Sequence, residues 1–157
     1  MDATIEERLA ELAIELPDAP APAANYVPFV VSGTLVFVSG QVPVWNGELR
    51  HIGQVGGDLG LEDGIQAARL CGLNLIAQAR AAAGGDLERI ARVVKLGGFV
   101  NAAPGFTDHP KVVNGASDLM VEVFGDRGRH ARFAVGSSTL PRGVAVEVDG
   151  VFELKSP

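Results

Sequence analysis

Hydrophobic and polar positions alternate most strictly near the C-terminal end of the chain. From Val144 onward, Val144, Val146, Val148, Gly150, Phe152 and Leu154 fall on one face. Ala145, Glu147, Asp149, Val151 and Glu153 fall on the other. A period of two predicts a strand with its apolar face on a hydrophobic layer and its other face carrying carboxylates at a fixed pitch. The shorter strand before it puts Arg132, Ala134 and Gly136 on one face and Phe133 and Val135 on the other. Arg132 therefore stands among small residues, which leaves room in front of its guanidinium.

At the other end, residues 4–16 (TIEERLAELAIEL) have a helical period. Thr4 and Glu7 form a capping box, and Ile5, Leu9, Leu12, Ala13 and Leu16 make one apolar stripe, so this helix is expected to dock on the body. Pro17 ends it, and residues 17–24 (PDAPAPAA) read as an extended connector. Residues 26–29 are predicted to open the sheet, with a turn at 32–34 and a buried strand at 35–39. Gly40 then lets the backbone bend and approach a neighbour closely. Asn46-Gly47 joins residues 42–45 and 48–52 in a hairpin. The Gly-rich run 53–60 neither opens a helix after a strand nor precedes Lys-Ser/Thr, so it reads as a loop rather than a phosphate cradle.

Residues 61–83 predict the longest helix, with Ile65, Ala68, Gly72, Leu75, Ile76 and Ala79 inward and Gly84-Gly85 as its stop. Asp86 caps a short turn, and residues 92–101 read as a central strand in which Gly97-Gly98 mark a bulge or a tight contact. After a loop, residues 111–124 form a helix with Pro110 in its first turn. Val112, Ala116, Leu119, Met120 and Val123 face inward, and Asn114 lies on another side. The link 137–143 is longer than a tight hairpin needs, which lets the last strand skip a neighbour and insert deeper in the sheet. The sum is an α+β domain with a mixed sheet, residues 20–157, preceded by a helix and connector at 1–19.

Composition narrows the classes of function. The 157 residues are 47% hydrophobic and 20% charged, so the chain is globular rather than disordered. Its net charge of −6 and the lack of any Lys/Arg run argue against a nucleic-acid surface. Cys71 is the single cysteine, which excludes an internal disulfide and fits a reducing compartment. The apolar runs fall short of a membrane span and the N-terminus is acidic, so a soluble cytoplasmic protein is expected. His51, His109 and His130 are scattered over expected loops and strand edges, read as solvated, with no metal-ligand spacing.

Pattern alone leaves Arg132 and Glu147 open to two readings. They form a structural ion pair, or they line a pocket for a small acid in which the guanidinium fork takes a carboxylate and Glu147 holds a water.

The block ARFAVGSSTLPRGVAVEVDGV, with its R-x8-P-x5-E spacing over Arg132, Pro141 and Glu147, resembles the C-terminal signature of the RidA family. These YjgF-like reactive-intermediate deaminases are also called L-PSP endoribonucleases. SGQVPV, from Ser39 to Val44, matches the family's Ser-Gly-Gln-hydrophobic-Pro turn. Tyr26 and Asn114 stand where the family carries a pocket Tyr and a helix Asn. The resemblance spans roughly residues 20–155. It implies a chorismate-mutase-like fold with helices on one sheet face, a homotrimer, and clefts between subunits. The implied activity is hydrolysis of 2-imino acids and their enamine tautomers to 2-keto acids and ammonia, without metal or organic cofactor. Arg132 would clamp the substrate carboxylate, Glu147 would activate water, and Tyr26, Gly40 and Asn114 would shape the cleft. Two departures stand out. Ala134 replaces the Cys that many members carry two residues after the Arg, and residues 101–110 replace a short acidic connection before the Asn helix. The alternatives are a non-catalytic trimer that binds small carboxylates in a regulatory role, and a ribonuclease, which the net charge disfavours.

Overall fold

The computed structural model describes residues 2–22 and 24–157. Met1 and Ala23, in the expected N-terminal segment and connector, lie outside the described residues. The elements are α1 (Ile5–Glu11), β1 (Phe29–Ser32), β2 (Leu35–Gln41), β3 (Val44–Trp45), β4 (Glu48–Leu49), α2 (Leu61–Ala82), β5 (Ile90–Asn101), α3 (His109–Phe124), β6 (Ala131–Ser137) and β7 (Val146–Leu154). Five strands form one sheet in the order β1-β2-β7-β5-β6, and β3 pairs with β4 in a separate hairpin. β5 and β6 are parallel, and every other pair in the main sheet is antiparallel. The last strand does insert between β2 and β5, as the long link allows. A 3₁₀ turn at Pro141–Gly143 occupies that link.

The strict alternation of β7 is what seats it. Val146, Val148, Gly150, Phe152 and Leu154 are buried, and the residues between them are not. Val148 and Phe152 join Leu75, Ile76, Leu96, Leu119 and Met120 in a single core beneath α2 and α3. Both helices therefore lie on one face of the sheet. Their crossing is close: a Cβ on Gly115 of α3 would run into the backbone carbonyl of Ile65 in α2. Backbone cannot give way as a side-chain tip can. Gly115→Ala is expected to destabilise the fold by roughly 1–3 kcal/mol, read as a drop of about 3–10 °C in thermal midpoint.

Two expectations need correction, and a third, left between two alternatives, is decided. The N-terminal helix is shorter than 4–16. Its capping box forms, with Glu7 N donating to Thr4 Oγ1 at 3.1 Å and Thr4 N to Glu7 Oε2 at 2.8 Å. Ala13, however, takes a left-handed φ of 53°, and Ile14 N reaches back to the Leu9 carbonyl at 2.9 Å. That closes the helix, leaves Leu12 exposed and turns Ile14 and Leu16 onto the core from outside it. The sheet begins at Phe29 and not at Tyr26: Ser39 N still donates to the Pro28 carbonyl at 2.9 Å in register, but Pro28 has no N–H to return, so the ladder stops there. Of the two alternatives for Gly97-Gly98, the structure selects the tight contact over the bulge. The register of β5 shifts earlier, around Val93 and Lys95, whereas a Cβ on Gly97 or Gly98 would meet Asp149 and Phe133, or Val113.

Candidate functional site

Register decides which residues can meet. Phe99 pairs with Glu147 on one side and Val135 on the other, while Leu96 pairs with Gly150 and Arg132. Leu96 is buried under the helices and Phe99 is exposed on the opposite face. Arg132 thus lies on the helix side of edge strand β6, and Glu147 lies on the open side of β7. Within one chain they do not meet, and the structure rejects an intrachain ion pair between them. The predicted site residues form two clusters instead.

The first cluster is cationic. Arg132 Nη1 donates to Asn114 Oδ1 at 2.8 Å and to Ser117 Oγ at 3.1 Å, and Nη2 donates to the Pro110 carbonyl at 3.4 Å. All three partners belong to the N-terminal half and middle of α3. A guanidinium has five N–H groups. Nη1 is fully used, so Nε–H and one Nη2–H remain, an edge that suits a carboxylate bidentately. Among the described residues no carboxylate forms a salt bridge with Arg132. The small-residue face read from the sequence leads here: Ala134 packs at the core's margin, and Gly136 lies beside the His109 ring.

His130 belongs to this cluster, contrary to its reading as a solvated histidine. Its Nδ1 donates to the Gly128 carbonyl at 2.6 Å and its Nε2 lies 2.8 Å from Ser117 Oγ. Burial holds its pKa below the usual value, against the pull of the Gly128 hydrogen bond, and the Arg132 charge adds to the lowering. Neither Ser117 nor His130 carries a spacing signal that sequence reasoning could use. Ser117 sits one turn beyond Asn114, which is the only hint.

The second cluster is acidic and borders a cavity of about 680 Å³. Its floor is Ser39, Gly40 and Glu147, and its walls include Tyr26, Pro20 and Arg142. Gly40 sits in a bulge: the β2–β7 register slips between Val38 and Gln41. The bulge brings the Gly40 backbone against Glu147, so a Cβ there would stand 2.8 Å from Glu147 Oε1. Ser39 Oγ donates to the Val27 carbonyl at 2.7 Å, which fixes the bend that carries Tyr26. The connector is pinned as a wall by Gln78 Nε2 donating to the Pro20 carbonyl at 2.7 Å and Asp18 N to Asn46 Oδ1 at 2.8 Å. Burial raises the pKa of Glu147, and the neighbouring Asp149 charge raises it further. Such a carboxylate is a stronger base than an exposed one.

Chemically, the two clusters are a free guanidinium edge and a basic carboxylate beside a roomy cavity. Tyr26, Gly40 and Glu147 are brought together, as are Arg132 and Asn114, but the two sets lie on opposite faces. Among the described residues no group of three or more His, Cys, Asp or Glu side chains is placed to hold a metal ion. No helix among them is long and apolar enough to cross a membrane.

Comparison with known proteins gives consistent matches over nearly the whole chain. The family described as "YjgF/chorismate mutase-like, putative endoribonuclease" matches residues 6–151. The Trypanosoma cruzi protein TCP17 is 50% identical over 153 residues, covering 97% of this chain and 95% of that protein. A crystal structure of a protein of unknown function from Agrobacterium tumefaciens is 48% identical, with a TM-score of 0.90 over 96% of this chain and 92% of that one. Escherichia coli TdcF, solved with bound serine, is 25% identical, with a TM-score of 0.63 over 90% of this chain and 97% of that one.

Proposed function

The chain belongs to the YjgF/chorismate-mutase-like family, and from that premise we propose that it hydrolyses reactive 2-imino acids and their enamine tautomers to 2-keto acids and ammonia. The site is shared between two copies of the chain in a homotrimer: Arg132 and Asn114 come from one copy, and Tyr26, Gly40 and Glu147 from its neighbour. The observation that carries this reading is the uncompensated Arg132, oriented by neutral partners with a bidentate edge left open. A guanidinium held this way awaits an anion from elsewhere.

Two further features support the reading. The open face of the sheet exposes Phe37, Phe99 and Val135 to 40–46%, an apolar surface that self-association would cover. The bound serine of TdcF is a small carboxylate of the size this chemistry needs. The net charge of −6 favours a small molecule over RNA as the ligand.

The substrate carboxylate docks on the Nε/Nη2 edge of Arg132, which fixes the imine carbon. Glu147 takes a proton from a water as its oxygen bonds to that carbon and hands it to the imine nitrogen, giving a neutral carbinolamine. Glu147 then takes the carbinolamine's hydroxyl proton as the carbonyl forms and passes it to the nitrogen as the C–N bond breaks, so that ammonia leaves. One water is consumed and one ammonia released, with no change of oxidation state. Placement and one base are sufficient for an electrophile this reactive.

Gly40→Ala tests the acidic half without removing a functional group. The added methyl displaces the Glu147 tip, and kcat is expected to fall by about tenfold to a hundredfold, with the thermal midpoint little changed. The whole reading is tested by following imine loss after a PLP-dependent dehydratase releases it. The purified chain speeds the loss if the proposal holds; an unchanged rate contradicts it.

A further inference from the structure

Arg132 is held by a relay that continues past its direct partners. Its guanidinium only donates, so Ser117 Oγ accepts from Nη1 at 3.1 Å. The Gly128 carbonyl only accepts, so the His130 proton sits on Nδ1, across 2.6 Å. His130 Nε2 is then a bare acceptor, and the Ser117 hydroxyl, 2.8 Å away, donates to it. Every donor and acceptor in the line has one consistent direction: Arg132 to Ser117 to His130 to Gly128. A protonated ring would reverse the middle bond and set two cations donating to one hydroxyl.

We propose that His130, as a neutral Nδ1–H imidazole, is a positioning residue that acts through Ser117 to fix which edge of Arg132 faces the ligand carboxylate. The anchor for the ring is the backbone at Gly128, where α3 hands over to β6; a Cβ there would run into the Met120 carbonyl. The strand that carries Arg132 and the helix that carries Asn114 are thereby keyed to each other at one hydroxyl. Asn114 takes the other Nη1 proton, so removing Ser117 leaves the guanidinium held only by Asn114 and the longer Pro110 contact. The carboxylate-binding arm of the test rests on the function proposed above, and the relay itself does not.

The test has two arms on the full-length chain. ¹⁵N-imidazole NMR at pH 7 reads the His130 tautomer; a neutral ring protonated on Nδ1 is expected. Pyruvate binding is then measured by calorimetry for wild type, Ser117→Ala, Ser117→Thr, His130→Phe and the Ser117→Ala/His130→Phe pair. Each hydroxyl- or ring-loss variant weakens binding by about tenfold, the pair weakens it no further, and Ser117→Thr stays within about twofold of wild type. An imidazolium, an Nε2–H ring, or folded single variants that bind like wild type overturn the inference. A wild-type chain that neither binds pyruvate nor clears the imine overturns the functional reading instead, and the tautomer arm then decides the relay.

Discussion

Arg132→Ala is expected to lower kcat/KM for 2-imino acid hydrolysis by about a thousandfold, through the loss of two charge-assisted hydrogen bonds worth roughly 1.5–3 kcal/mol each. The loss appears in both KM and kcat, because the same contact binds the substrate and aims its imine carbon. Stability changes little: the partners left behind, Asn114 and Ser117, sit at a surface that water reaches. Arg132→Lys separates charge from geometry. An ammonium keeps the positive charge but loses the planar edge, so an intermediate loss of about tenfold is expected. Steady-state kinetics on the imine, with 2-keto acid binding measured in parallel, checks both variants. Equal rates for Arg132→Ala and wild type would remove the basis of the proposed mechanism.

Glu147→Gln gives the second large effect, and a different signature. The amide keeps the shape of the side chain beside Gly40 but cannot take a proton, so kcat falls by about a hundredfold to ten-thousandfold. Binding of 2-keto acids is retained. A non-catalytic carboxylate-binding trimer would show no rate to lose, so this variant separates that alternative from the enzyme. The pH dependence follows from the raised pKa of Glu147, which burial causes and Asp149 reinforces. The base works when ionised, so the acid limb of the kcat/KM profile lies above the ordinary glutamate range. For stability the sign is opposite. A raised folded-state pKa means that the folded chain binds the proton more tightly than the unfolded chain. That contribution is full below the unfolded pKa and is lost as pH rises through the folded one. Glu147→Gln is therefore expected to raise the thermal midpoint at pH 7, with the gain fading as pH drops into the carboxylate range.

Much of the fold can be read from periodicity because burial enforces it. The alternation of β7 is kept by the core under it, and the inward stripe of α3 is kept by α2. Gly40 signals its bend because any side chain there meets the Glu147 carboxylate, which must move to admit it. Other features have no such enforcement. Ala13 is a good helix former that ends a helix, since Ile14 gains more by turning onto the core than by extending the stripe. Parity along a strand tells which residues share a face, but not which face is covered. Arg132 and Glu147 could be assigned to opposite faces only once β5 was known to lie between β6 and β7, with Leu96 beneath and Phe99 above. His130 and Ser117 were invisible for a related reason: their partners are a backbone carbonyl and a side chain on another element.

The claim that one copy supplies the cation and another the base is tested most directly by mixing two inactive chains. Arg132→Ala and Glu147→Gln variants are unfolded together, refolded as an equal mixture and assayed for imine hydrolysis. In a cyclic assembly each site draws its two halves from different subunits, so random mixing restores about a quarter of wild-type activity. Activity no higher than that of the separate variants, in a mixture shown to have exchanged subunits, would contradict the shared site.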